Sequence, residues 1–226
     1  MAGERQQRDT GAKAMLAGIG LACRRGERLV FRGITLQLAA GELLLLRGAN
    51  GSGKSTLLRL IAGLLPPAEG VLLWRSEPIN DAEAYRAELA YLGHADAVKP
   101  EFTPAEDLRF WLEMRGRQGG EDRTSAALAR LGLEALTDLP CRLMSAGQRR
   151  RVAIARVAVS GARLWLLDEP FTALDETTVA AVAALIAEHR ATGGLAVMAA
   201  HGAQPIPASQ ELDLSQPAFS SPEEVE

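Results

Sequence analysis

The chain has 226 residues, a formal net charge of -3 and 47% hydrophobic residues, which suffices for one domain with a substantial core. Its apolar runs fall short of the roughly 18 residues that a membrane-spanning helix needs, so we do not expect the chain to span a membrane by itself. The mildly acidic balance argues against nucleic acid as a partner, and 2 cysteines are too few for a disulfide framework and favour a reducing compartment.

The N-terminal part predicts strands followed by one helix. Residues 1–14 are polar and lack the apolar segment of a signal peptide, so we expect them to be disordered and not to direct export. An antiparallel meander is predicted, with strands at 16–22, 28–32 and 34–39 that are separated by Arg-Gly-Glu and Arg-Gly turns. An apolar run at 42–47, typical of a strand buried on both faces, leads through a glycine-rich stretch into a helical pattern at 54–64.

Strands and helices alternate along the rest of the chain. Predicted strands lie at 70–74, 89–93, 163–167 and 194–200. Predicted helices lie at 104–114, 122–131, 145–160 and 175–190. Because the block at about 96–160 contains helices alone, we expect an α/β fold: a mainly parallel sheet with an N-terminal antiparallel β subdomain and an inserted α-helical subdomain. Residues 203–226 contain prolines and serines without periodicity, which predicts a loose C-terminal tail.

A phosphate-binding loop is predicted where the strand at 42–47 ends. The pattern G-x-x-x-x-G-K-[ST] is matched by Gly48, Ala49, Asn50, Gly51, Ser52, Gly53, Lys54, Ser55 and Thr56. Glycines let backbone N–H groups curl around a β-phosphate, and the helix N-terminus adds positive charge. Lys54 is expected to neutralise phosphate oxygens, and the Ser55 hydroxyl to ligate Mg²⁺. Taken alone, the motif also fits a glycine-rich turn with a surface lysine.

Two carboxylates follow the apolar strand at 163–167. Asp168 and Glu169 stand at its C-terminal end, where open α/β sheets bind ligands. Asp168 is a candidate ligand of Mg²⁺, and Glu169 is a candidate to polarise the attacking water. The alternative is a turn with solvated charges, but the phosphate loop upstream favours the functional interpretation. ATP and Mg²⁺ are therefore the expected cofactors.

Three further motifs complete a family pattern. They are Leu143-Met144-Ser145-Ala146-Gly147-Gln148, Ala173-Leu174-Asp175 and His201. In this order they look like the signature, the D-loop and the switch histidine of the ATP-binding subunits of ABC transporters, which the chain resembles over residues 15–202. The resemblance implies the ABC ATPase fold, with a RecA-like P-loop NTPase core. For Ser145 to Gln148 taken alone, a simple helix cap is the alternative.

The resemblance also implies site roles and a homodimer. Two chains would close head to tail over two ATP molecules, so that Ser145 and the backbone around Gly147 of one chain face the γ-phosphate held by the other. Gln148 and Asp175 are further expected nucleotide-binding residues. The expected catalytic residues are Lys54, Glu169 and His201, the last of which contacts the γ-phosphate.

The chain departs from the family pattern at two places. Where the family has an aromatic residue that stacks on adenine, this chain has Arg24 or Arg25, whose guanidinium can also stack on a purine. The family glutamine that links Mg²⁺ to the membrane subunit has no counterpart near 93–95, so either His94 substitutes for it or the link is lost. The run of arginines at 149–151 is expected to form a solvated helix face.

Within the family, the chain looks most like the haem exporter ATP-binding subunits of cytochrome c maturation, in segments 91–94, 108–111, 143–151 and 168–175. This resemblance implies a translocase docked on integral membrane transporter subunits, peripheral on the cytoplasmic face of the bacterial inner membrane. We expect no direct haem binding, since the chain lacks a Cys-x-x-Cys-His motif. The alternatives are an ATPase of another small exporter, an ATPase of a soluble assembly machinery, and a low-turnover nucleotide-gated clamp.

Overall fold

The computed structural model of the chain describes residues 14–117 and 120–215. The predicted disorder of residues 1–14 falls, apart from Ala14, outside the described residues. The strands are β1 (Leu16–Arg25), β2 (Arg28–Leu38), β3 (Leu43–Arg47), β4 (Glu69–Trp74), β5 (Glu77–Pro78), β6 (Leu89–Leu92), β7 (Leu164–Asp168), β8 (Leu195–Ala199) and β9 (Gln210–Asp213). The α-helices are α1 (Lys54–Ile61), α2 (Ala82–Ala87), α3 (Pro104–Met114), α4 (Glu121–Arg130), α5 (Ala146–Val159) and α6 (Glu176–Ala191).

A five-stranded parallel sheet with the order β6-β7-β8-β3-β9 forms the centre of the fold. Every residue of β7 and β8 is buried, as expected for apolar strands of a parallel sheet that is covered on both faces. Asp168 at the end of β7 pairs with Ala199 at the end of β8, and Ala199 pairs with Leu46 of β3. The loops that follow these three strands therefore emerge at one edge of the sheet, the edge formed by the carboxyl ends of its strands.

The second sheet is antiparallel and has the order β2-β1-β4-β5. The predicted turn at Arg32-Gly33 is wrong, because β2 runs unbroken through both residues. Gly33 has a φ of 75°, and the pairing of β1 with β2 shifts register between Leu21 and Cys23, whose partners Ile34 and Phe31 flank this glycine. The physical reason is a bulge, which accommodates a left-handed glycine without ending the strand.

Helices cover the parallel sheet on both faces. One core cluster joins α1 and the antiparallel sheet to one face of the parallel sheet, and the other joins α3, α4, α5 and α6 to the opposite face. Since α3, α4 and α5 lie between β6 and β7 in the chain, the predicted α/β fold with an inserted helical subdomain is confirmed. No helix within the described ranges combines the length and apolar character that crossing a bilayer requires.

The prediction of a loose tail over 203–226 is wrong for its described part, which ends at Ser215. Strand β9 pairs in parallel with β3 at the edge of the sheet. The Arg47 guanidinium donates to both carboxylate oxygens of Glu211, at 2.7 and 2.9 Å, and Leu214 is buried. The strand escaped prediction because most of its side chains are exposed, so it carries no hydrophobic alternation. Residues 216–226 lie outside the described residues.

Candidate nucleotide-binding and hydrolysis site

The predicted phosphate loop lies between β3 and α1, at the edge of the sheet where β7 and β8 also end. Gly48 has a φ of 136° and Gly53 a φ of 104°, backbone angles that residues other than glycine rarely adopt. A Cβ atom on Gly48 would lie 2.5 Å from the Ser52 hydroxyl, and one on Gly53 would lie 3.0 Å from Val30. The loop is therefore tightly curled against its own residues and β2. The first-turn N–H groups of α1 provide the anion-binding end of a helix.

Lys54 is the first residue of α1 and is only 6% exposed. Its ammonium group donates to the carbonyls of Gly48 at 2.7 Å and Ala49 at 3.0 Å. These two bonds hold the ammonium group inside the curl of the loop. It is thus well placed to attract phosphoryl oxygens, as the sequence predicts.

Asp168 ends β7 and is 2% exposed. Its Oδ2 atom is buried and has no hydrogen-bond partner among the described residues. A buried carboxylate oxygen without a partner is unfavourable unless a cation or a donor satisfies it. The orphaned oxygen therefore fits the predicted role of Asp168 in holding Mg²⁺, an ion that prefers oxygen ligands. Ser55, the other predicted ligand, lies in the first turn of α1.

Glu169 and His201 are brought together by neighbouring strands. The Glu169 N–H donates to the carbonyl of Ala199 at 2.9 Å, which fixes the end of β7 against β8. His201 follows β8, and its Nε2 atom lies 3.2 Å from Glu169 Oε1. Their side chains are 27% and 44% exposed, respectively. This carboxylate therefore reaches solvent while the imidazole restrains it, an arrangement that can orient and deprotonate a water molecule.

The predicted signature residues begin α5. Ser145 is the N-cap, and it forms a capping box with Gln148: the Ser145 hydroxyl accepts from the Gln148 N–H at 3.2 Å, and Gln148 Oε1 accepts from the Ser145 N–H at 2.7 Å. Both acceptor oxygens are thus engaged in the cap. The hydroxyl proton of Ser145 and the amide hydrogens of Gln148 remain available as donors to an anion.

Asp175 belongs to the helix that follows the D-loop segment. Its carboxylate caps α6 by accepting from the Thr178 N–H at 2.8 Å. This hydrogen bond, the largest cause, lowers the pKa of Asp175 below its usual value. Within one chain, Asp175 therefore has a structural partner, and its predicted contact with a nucleotide remains a prediction.

Comparisons with known proteins bear directly on this geometry. The family model described as ABC transporter matches residues 31–172. The chain is similar to the cytochrome c biogenesis ATP-binding export protein CcmA of Nitrosococcus oceani, with 50% identity over 197 residues that cover 87% of this chain and 90% of that protein. The chain belongs to the ABC transporter family. The CcmA protein of Paramagnetospirillum magneticum is 47% identical, over 91% of this chain and 95% of that protein.

The fold of this ABC protein also has solved counterparts. A structure of an ATP-binding subunit of an ABC transporter superposes with a TM-score of 0.78 at 27% identity, covering 83% of this chain and 79% of that one. A putative ABC transporter ATP-binding protein from Pyrococcus furiosus gives the same TM-score at 22% identity, with coverage of 88% and 96%. The predicted ABC ATPase fold is thereby confirmed.

Arg150 contradicts the expectation of a solvated arginine run on α5. It is 5% exposed, and its guanidinium donates to the carbonyls of Gly93, Asp168 and Glu169 and to the Asp96 carboxylate. The physical reason is helix periodicity: Ile154 and Val157 lie four and seven residues further on and are buried as well. That spacing is the signal by which the sequence could have identified Arg150.

The two departures from the ABC pattern lie on exposed segments. Arg24 and Arg25 are both exposed at the end of β1, so an adenine could reach either guanidinium, and the predicted stacking remains a prediction. His94 is exposed in the loop after β6. In the same loop, the carbonyl oxygens of Asp96 and Ala97 accept hydrogen bonds from the Arg156 guanidinium. The loop is thus held by α5.

Proposed function

We propose that this ABC protein is the ATP-hydrolysing subunit of a membrane export complex that serves cytochrome c biogenesis. Its CcmA relatives are named cytochrome c biogenesis ATP-binding export proteins. The observation that carries the hydrolytic part is the contact between Glu169 and His201, beside the orphaned Asp168 carboxylate. These groups stand at the same sheet edge as the phosphate loop. The biogenesis part is supported by the identity of about one residue in two over most of the chain.

The proposed reaction is the attack of water on the γ-phosphorus of ATP. Loop N–H groups and Lys54 hold the phosphoryl oxygens and neutralise charge that builds up as the bond to ADP breaks. Ser55 and Asp168 would hold Mg²⁺, which would supply further positive charge beside the phosphoryl groups. Glu169 accepts a proton from the attacking water, and His201 keeps the carboxylate aimed at it. The products are ADP and phosphate.

We further propose that the site is completed by a second copy of the chain. Ser145, Gly147 and Gln148 offer hydroxyl, backbone and amide donors at the start of the long helix α5, and Gly147 has no side chain to keep a phosphate away. In the head-to-tail homodimer these donors, together with Asp175, meet the nucleotide held by the partner. ATP binding then closes the dimer and hydrolysis reopens it.

The membrane part of the proposal concerns partners and location. Integral membrane transporter subunits bind the ATPase dimer on the cytoplasmic face of the inner membrane, where the chain acts as a peripheral translocase subunit. ATP use is tied to the export step of cytochrome c maturation, and this chain does not itself bind haem. The family membership supports membrane partners, and the relatives' names support the pathway.

The first experiment measures phosphate release by the purified chain and by two lysine variants. Lys54→Ala should abolish ATP-dependent turnover, because the buried ammonium of the loop is removed. Lys99→Ala is the matched control, since Lys99 lies over the ring of Phe110, 3.6 Å from its centroid, and away from the loop. Equal turnover of the Lys54→Ala variant and the wild type would contradict the proposal.

A second experiment tests the pathway. A strain that lacks the gene is complemented with the wild type, Lys54→Ala or Lys99→Ala, and its mature c-type cytochromes are measured by haem staining. We expect restoration by the wild type and the control only. Restoration by Lys54→Ala would contradict a role for ATP hydrolysis.

ATP turnover is also measured with and without membranes that contain the partner subunits. Turnover that does not change when these membranes are added would favour a soluble assembly machinery.

A further inference from the structure

Arg150 occupies a junction between three parts of the ABC domain. Its Nη1 atom donates to the Gly93 carbonyl at 2.8 Å and to Asp96 Oδ1 at 3.0 Å. Its Nη2 atom donates to the Asp168 carbonyl at 2.5 Å and to the Glu169 carbonyl at 2.8 Å. One buried guanidinium thus joins α5, the loop after β6 and the end of β7.

The hydrogen bonds from Arg150 to the Asp168 and Glu169 carbonyls hold the backbone that orients Glu169, the proposed base. Glu169 has a φ of 50°, a left-handed conformation that a residue other than glycine adopts only when its surroundings enforce it. Arg150 binds the carbonyl of the peptide that leads into Glu169 and the carbonyl of the peptide that leads out of it. Because the backbone angles set the direction of the Cα–Cβ bond, the same bonds set where the Glu169 carboxylate stands.

The other two contacts reach the loop after β6, which is held a second time from the same helix. Arg156 donates to the Asp96 carbonyl at 2.7 Å and to the Ala97 carbonyl at 3.1 Å. Asp96 also forms a 3.0 Å ion pair with Arg150. A displacement of this loop would therefore pull on Arg150, and through it on the Glu169 backbone.

We propose that Arg150 is a positioning residue for ATP hydrolysis, which fixes Glu169 in its left-handed conformation and ties it to the loop at 93–97. The inference rests on the proposed function, because it gives Glu169 the role of base. A lysine cannot replace the arginine: a single ammonium lacks the planar fork that serves acceptors on two sides at once.

The test compares Arg150→Lys with Arg151→Lys. Arg151 lies one residue further along α5, and its guanidinium donates to the Leu131 and Gly132 carbonyls, far along the chain from β7. We expect Arg150→Lys to lower kcat about 10- to 100-fold while the KM for ATP stays within about threefold of the wild type, and Arg151→Lys to leave both unchanged. A kcat of Arg150→Lys equal to the wild type would overturn the inference.

A double-mutant cycle separates positioning from a general loss of stability. If Arg150 acts through Glu169, then Arg150→Lys should lower the residual turnover of Glu169→Gln by less than about twofold. A full additional loss in that background would overturn the inference. Asp96→Asn keeps Arg150 itself and should lower kcat by less than Arg150→Lys does. It replaces Arg150→Lys in the test if that variant folds poorly.

Hydrogen–deuterium exchange makes the outcome independent of turnover. Arg150→Lys should speed exchange in two segments together, 93–97 and 168–172, whereas Arg151→Lys should speed it in neither. Unchanged exchange in both segments would overturn the inference. A wild-type protein without ATP turnover would contradict the proposed function instead, and the exchange result would still decide whether Arg150 links the two segments.

Discussion

Gly147 in the first turn of α5 faces the main-chain carbonyl of Ala173, and a Cβ atom on Gly147 would lie 2.8 Å from that oxygen. Ala173 itself has a φ of 62°, so its carbonyl is held in an uncommon direction. The signature helix and the D-loop segment thus meet backbone to backbone. No side chain fits between them unless one of the two segments moves.

Gly147→Ala should therefore displace the segment that leads to Asp175. We expect ATP turnover to fall at least about 10-fold, because both displaced segments carry residues that contact the partner's nucleotide in the proposed dimer. Nucleotide affinity of the isolated chain should change less than about threefold, since the phosphate loop is untouched. Fluorescent-nucleotide binding and phosphate release measure the two quantities. A matching loss of binding would show that the damage extends to the phosphate loop.

Glu169→Gln should separate ATP binding from hydrolysis. The amide keeps the shape of the side chain but cannot accept the proton of the attacking water, so we expect turnover to fall about 100- to 1000-fold. ATP should still bind and close the proposed homodimer, which size-exclusion chromatography in saturating ATP detects. A variant that stays monomeric there, with its membrane partners present, would contradict the head-to-tail arrangement. Steady-state turnover equal to the wild type would favour the nucleotide-gated clamp.

Local motifs allowed much of this site to be predicted. The phosphate loop and the carboxylates after β7 follow from patterns whose chemistry needs fixed spacing, and the sheet topology brings the two motifs to one edge. The Glu169–His201 contact was not predictable, because it depends on the register of β7 against β8. Arg150 was misassigned since three consecutive arginines were treated as one surface, although a helix turns each residue about 100° from the last.

The weak elements of the fold explain the other errors. Helix α2 has only 6 residues and was not predicted, although Asp81 caps it by accepting from the Glu83 and Ala84 N–H groups. A helix this short has no amphipathic period to detect. Strand β9 is an exposed edge, and its position depends on β3, which lies more than 160 residues earlier in the chain. Such long-range pairing leaves little local signal.

Removal of β9 should destabilise the parallel sheet. A chain that ends at residue 208 loses the ladder along β3 and the burial of Leu214, which together contribute on the order of 3 kcal/mol to the free energy of unfolding. A chain that ends at residue 215 retains both and is the matched control. Denaturant unfolding measures the difference. Equal stability of the two truncated chains would show that β9 contributes nothing to the fold.

Protonation of His189 should destabilise the fold in mild acid. The ring stacks on Trp165, with a centroid distance of 4.0 Å and an interplanar angle of 8°, and its Nε2 atom lies 3.2 Å from the Leu195 carbonyl. Burial, the largest cause, lowers the pKa of His189 below its usual value of 6.5, against the hydrogen bonds to the Leu195 and Arg163 backbone, which raise it. The folded chain therefore resists a proton that the unfolded chain accepts.

The sign of the effect follows from that difference. As the pH falls below the unfolded pKa of about 6.5, the unfolded chain binds more protons than the folded chain, so the free energy of unfolding decreases until the folded pKa is passed. His189→Phe keeps an aromatic ring against Trp165 but cannot be protonated. Its Tm should lie below that of the wild type at about pH 7.5, because the hydrogen bond to the Leu195 carbonyl is lost. The difference in Tm between the variant and the wild type should be smaller at about pH 5.5. If the difference in Tm stays constant between these two pH values, His189 does not control the acid sensitivity of the fold.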